Sequence, residues 1–111
     1  MTKEKFIVRQ IKDYIASIGG YAIKYPGGPY SERGVSDLLC CIRHPLDGYG
    51  LFVAIEVKVP LRGIVSPAQK RWIAMAKSYG AVAFVARSVS DVERELSLAG
   101  FLPVDERGKL S

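Results

Sequence analysis

A chain of 111 residues with 49% apolar content can bury one core and leaves little for a second, so a single domain over residues 1–104 with a flexible tail at 105–111 is expected. No stretch approaches the roughly 18 uninterrupted apolar residues of a membrane helix, and the first five residues lead into an amphipathic pattern rather than a signal core. The expectation is a soluble, cytoplasmic protein with no membrane partner. The net charge of +5 points to a polyanionic partner and is compatible with nucleic acid. Cys40 and Cys41 are the only cysteines and are adjacent, which suits neither a zinc site nor a disulfide framework. They read as buried small apolar residues.

In chain order, Ile7, Val8, Ile11, Ile15 and Ile18 recur at helical spacing, and Gly19-Gly20 stops the run, which predicts a helix over about 3–18. A short strand pattern follows at 21–25, then a loop rich in turn formers from Pro26 to Gly34. Residues 35–42 read as a second strand. A hairpin connection with an Asp47-Gly48 turn signal leads to a long strand over 50–59, ended by Pro60. Ser66 as N-cap and Pro67 at the first helical position open a helix that stops at Gly80, with Trp72, Met75, Ala76 and Tyr79 on its core side. A small apolar strand at 81–86 is followed by Ser90-Asp91-Val92-Glu93, a capping-box pattern ahead of a last helix to about Ala99. The order is αβββαβ(α), an α/β class.

The long strand carries the informative pattern. Alternation puts Leu51, Val53, Ile55, Val57 and Val59 on one apolar face and Phe52, Ala54, Glu56 and Lys58 on the other. A carboxylate and an ammonium in such a run need compensation, either by each other as an ion pair or by a divalent cation. If the hairpin turn centres on Asp47-Gly48, antiparallel pairing sets Asp37 near Lys58 and diagonal to Glu56, on the same face. Asp37 also admits a plain turn role. His44, in the hairpin connection, reads as a turn residue. In the first helix Glu4 lies within the arc of Ile7, Val8, Ile11 and Ile15, so its carboxylate is expected to point inward; the alternative is a helix N-terminal Glu facing the macrodipole.

Gly34-Val35-Ser36-Asp37, then Glu56-Val57-Lys58, then Ser66-Pro67-Ala68-Gln69 opening a helix that leads to Gly80-Ala81-Val82-Ala83-Phe84-Val85, together resemble the PD-(D/E)xK nuclease superfamily. Within it they resemble the stand-alone VRR-NUC domain, over nearly the whole chain from Glu4 to about Val92. Ser36 stands where the superfamily's name has Pro. The resemblance implies a restriction-endonuclease-like core with a mixed central sheet flanked by helices, and a metal-dependent DNA endonuclease. It implies Asp37, Glu56 and the Val57 backbone carbonyl as ligands of Mg²⁺ or Mn²⁺, and Lys58 as the residue that orients or helps deprotonate the attacking water. Glu4 would hold a water on the ion or a second ion. Gln69 would contact the nucleophile or Lys58, unless it only completes the capping box with Ser66. These small domains further resemble Holliday-junction resolvases, which implies a homodimer acting on branched DNA such as junctions or flaps. The chain has no separate sequence-reading module, which favours structure over sequence as the feature recognised. A non-catalytic nucleic-acid-binding module and a restriction-type nuclease are the alternatives. Lys24, Tyr25, Tyr30 and Arg33, around the Gly/Pro-rich loop, and Lys70 and Arg71, early in the second long helix, have the basic and aromatic character suited to phosphate contact and base stacking.

Overall fold

The computed structural model describes residues 2–101; the tail expected at 105–111 lies outside them. Helix α1 (Lys3–Ser17) is followed by strands β1 (Gly20–Lys24), β2 (Leu38–Arg43) and β3 (Gly50–Val57), helix α2 (Pro67–Ser78), strand β4 (Val82–Ala86) and helix α3 (Val89–Leu98). The strands form one sheet in the order β1-β2-β3-β4. The first three are antiparallel neighbours and β4 runs parallel to β3, so the sheet is mixed and α2 is the crossover of a βαβ unit. The α/β class and the element order are those expected.

Alternation along the strands sorts the molecule into layers. Leu38, Cys40 and Ile42 of β2, Val53, Ile55 and Val57 of β3, and Phe84 and Ala86 of β4 face one side, where α1 covers them with Ile7, Val8, Ile11 and Ile15 and α3 with Val92 and Leu96. The opposite face of β3 and β4 offers Ala54 and Ala83, small enough for α2 to approach with Ala76, Trp72 and Ile73. Thr2 caps α1 by accepting from the Lys5 amide at 3.2 Å. Ser66 and Gln69 form a reciprocal capping box at α2, behind which Pro67 takes a position that needs no donor.

Five expectations are corrected. β2 begins at Leu38: the Asp37 carbonyl still accepts from the Tyr25 amide, but it is the Asp37 side chain that takes the Val57 amide, so the backbone ladder to β3 starts one residue later. The hairpin register pairs Leu38 with Ile55 and Arg43 with Gly50, two residues off the anticipated pairing. The cause is His44, whose Nδ1 accepts from the Leu46 and Asp47 amides and starts the turn one residue early. A shift of two preserves side-chain parity, so the faces are unchanged and Asp37 comes opposite Glu56 instead of Lys58. The N-cap of α3 is Ser88, not Ser90; its hydroxyl accepts from the Asp91 amide at 3.2 Å. Finally, only one of the cysteines is buried. Cys41 is exposed beside Tyr21 and Phe52, on a half of the sheet that α2 does not reach, and on α2 only Ala76 is fully buried, Met75 and Tyr79 being exposed.

Candidate active site

The site forms where β3 ends and the backbone turns toward α2. Glu56 is only 2% exposed, and its Oε2 accepts from Gln69 Nε2 at 3.1 Å and lies 3.3 Å from Lys58 Nζ. The same Gln69 uses its Oε1 to accept from the Ser66 amide at 2.9 Å. Gln69 thus fills both roles considered for it, cap and site, because a carboxamide has an acceptor and a donor end. Asp37 meets the group from the residue just before β2: its Oδ2 accepts from the Val57 amide at 2.8 Å, while its carbonyl accepts from the Tyr25 amide at 2.7 Å.

Burial and the neighbouring Asp37 carboxylate push the Glu56 carboxyl up to about 8, against a smaller opposing pull from Lys58. Glu56 Oε1 is buried and receives no donor from the surrounding protein. A buried acceptor beside a second carboxylate, with no donor aimed at it, fits a hard divalent cation. Since N–H and C=O of one residue in an extended strand project to the same side, the Val57 carbonyl also faces the Asp37 side. Among the described residues no three His, Cys, Asp or Glu side chains converge. An ion here would therefore take two carboxylates and complete its shell with main-chain and water oxygens, as Mg²⁺ commonly does.

Two features fix this geometry: Gly34, which opens the motif that leads to Asp37, and Arg87, which carried no sequence signal. Gly34, at φ +82°, packs against the Ala68–Gln69 backbone so closely that a Cβ there would overlap the Ala68 carbonyl. It seats the approach to Asp37 directly on the start of α2, which gives the Gly-x-x-Asp spacing a physical reason. Arg87, just after β4, donates to the carbonyls of Val59 at 2.8 Å and Gly63 at 2.9 Å. These bonds close the loop after Lys58, in which Leu61 is held at φ +67°. A Cβ on Gly63 would stand 2.7 Å from Lys58 Cβ, so the loop forms a shelf under the Lys58 stem.

Of the remaining predicted residues, Glu4, Lys24, Arg33 and Arg71 line two separate grooves, and Tyr25, Tyr30 and Lys70 line neither. Glu4 is exposed, which corrects its inward placement; only Ile7, Val8, Ile11 and Ile15 form the buried stripe of α1. It lines a groove of about 530 Å³ together with Lys58 and Lys24. Arg33 and Arg71 line a second groove of about 300 Å³ with Glu32 and Trp72, whose indole donates to Glu32 at 3.1 Å. Tyr25 is half-buried, Lys70 is exposed, and Tyr30 is fully exposed. His44 stacks on Tyr49 at 4.7 Å within its turn.

The family model of the VRR-NUC domain matches residues 24–90, more than half of the chain and all of the site except Glu4. The chain belongs to the VRR-NUC domain family. A solved structure described as a VRR_NUC domain is 26% identical, covers 87% of this chain and 97% of its own, and superposes with a TM-score of 0.69. A second, described as a VRR_NUC domain protein, is 18% identical over 87% of this chain and 90% of its own, with a TM-score of 0.62, and supports the fold alone. No curated protein matches the chain. VRR-NUC membership suggests a function of nuclease type. No described helix is long and apolar enough to cross a membrane.

Proposed function

We propose that this VRR-NUC domain is a metal-dependent DNA endonuclease that cleaves phosphodiester bonds in branched DNA, such as four-way junctions or flaps, as a homodimer. The observation that carries the proposal is the convergence of Asp37, Lys58 and Gln69 on the buried carboxylate of Glu56, with one oxygen of that carboxylate left for a ligand. Asp37, Glu56 and the Val57 carbonyl would hold Mg²⁺ or Mn²⁺. Bound there, such an ion polarises a phosphoryl oxygen and acidifies a water molecule. Lys58 holds the attacking water and offsets the negative charge that builds on the phosphate. Gln69 keeps the Glu56 carboxylate in one orientation, and Ser66 keeps Gln69 in place. Glu4, across the groove from Lys58, supplies a carboxylate for a second water or ion. Lys24 in the groove with Lys58, Arg33 and Arg71 in the second groove, and Tyr25, Tyr30 and Lys70 would contact phosphates or stack on bases.

The dimer follows from size: one small domain with one centre nicks a strand, whereas a twofold pair presents two centres to a branched duplex. Cleavage of labelled junctions, flaps and linear duplexes by wild type and by Lys58→Ala, with Mg²⁺, Mn²⁺ or chelator, tests the whole reading. Lys58→Ala is expected to slow cleavage by about 10²- to 10³-fold, and chelator to stop it. Cutting that withstands both would remove the catalytic assignment, and a preference for one sequence in linear duplex would remove the branched substrate.

A further inference from the structure

Five cationic side chains, Lys3, Lys5, Lys24, Lys58 and Arg62, converge on the 530 Å³ groove between the start of α1 and the loop after β3, against the single acid Glu4. Lys58 pairs with Glu56; among the described residues the other four make no salt bridge. Like charges held together without counter-charge repel one another, and an anionic polymer relieves that cost by displacing the small ions condensed on it. The groove walls are also built to stay in place: Thr2 caps the helix that carries Lys3 and Lys5, and Arg87 ties down the loop that carries Arg62. The second groove, on the Gln69 side, sets Arg33 and Arg71 against Glu32, a much smaller excess of positive charge.

We infer that this groove is the backbone track of the substrate strand, in which Lys3, Lys5 and Arg62, together with Lys24, grip the phosphates next to the one presented to Lys58. The inference rests on the reading of the chain as acting on DNA and adds the path by which the strand arrives. It places the main electrostatic hold on the α1 side of the site, with the α2 side left to weaker contacts.

Binding of fluorescein-labelled duplex DNA, followed by anisotropy in chelator between about 50 and 200 mM salt, tests it without catalysis. Lys3→Gln/Lys5→Gln and Arg62→Gln are compared with Lys12→Gln/Lys77→Gln, which removes charge from exposed positions outside the groove. Each groove variant is expected to lose about tenfold in affinity and to flatten the salt dependence by roughly one unit of log–log slope per lost phosphate contact, and the control to change little. Groove variants that bind as the control does, or a wild type that binds no DNA, would overturn the inference. A wild type that cleaves while the groove variants bind normally removes the track and leaves the nuclease standing. One that shows the binding shifts but never cleaves with Mg²⁺ or Mn²⁺ does the reverse.

Discussion

Glu56 is where the chain's chemistry and its stability pull in opposite directions. Its carboxyl titrates ordinarily near 4.5 and is raised to about 8 in the folded protein, so the folded state holds a proton that the unfolded chain releases. Folding is therefore favoured below pH 4.5, and that contribution is lost as pH climbs from 4.5 to about 8. In chelator, the melting temperature is expected to fall across this interval and to fall less in Asp37→Asn, which removes the neighbouring negative charge; a wild-type midpoint that rises with pH would contradict the assignment. Mg²⁺ or Mn²⁺ should reverse the trend, since a cation at the pair competes with the proton and binds more tightly as pH rises. At this scale the sequence was informative about Asp37, Glu56, Lys58 and Gln69, which the fold brings together. It was silent about Arg87, because the carbonyls that residue holds lie 24 and 28 positions away and belong to no motif.

Elements with a local cause were legible, and those set by a turn or a neighbour were not. Pro67 behind Ser66 marks the start of α2, and the 3.6-residue rhythm of α1 picks out its buried stripe. Asp47-Gly48 gave no hint that the His44 ring would begin the turn early, yet parity kept Asp37 and Glu56 on one face. The same alternation separates the cysteines: Cys40 is buried, with its thiol pushed up to about 12, while Cys41 faces outward. A thiol reagent should therefore modify Cys41 alone in the native protein and both after denaturation, read by mass spectrometry of the peptides; early labelling of Cys40 would contradict the packing. Two substitutions probe how elements hold the site. Gly34→Ala places a methyl in the Ala68 carbonyl at positive φ, so a loss of at least about 1–3 kcal/mol is expected by chemical denaturation, with cleavage falling further as Gln69 is displaced. Arg87→Ala leaves the Gly63 carbonyl without its donor, while the Val59 carbonyl keeps the Gly63 amide at 3.1 Å; a cost of about 1–3 kcal/mol is expected if the Gly63 carbonyl stays buried, and the shelf beneath Lys58 is loosened. Arg87→Lys should recover part of the stability and less of the cleavage, because one ammonium does not span the two carbonyls as the guanidinium fork does.

The molecule as a whole places its candidate centre at one end of the sheet, between the layer made by α1 and α3 and the layer made by α2. Lys58 belongs to a groove on the first layer's side, whereas Gln69 arrives from the second. A homodimer of such units should show twice the mass of one chain by light scattering at the concentrations where junctions are cut, and single nicks should dominate on dilution below the association range. A particle of single-chain mass that still makes paired incisions would exclude the twofold arrangement. The backbone seam at Gly34 has a further consequence for how this scaffold tolerates change. Extra residues spliced into the exposed stretch from Pro26 to Tyr30 would only enlarge a surface excursion, but a single residue added between Gly34 and Asp37 would rotate the acid away from its partner while the seam held fast. Length variation should thus be accepted on one side of that glycine and refused on the other.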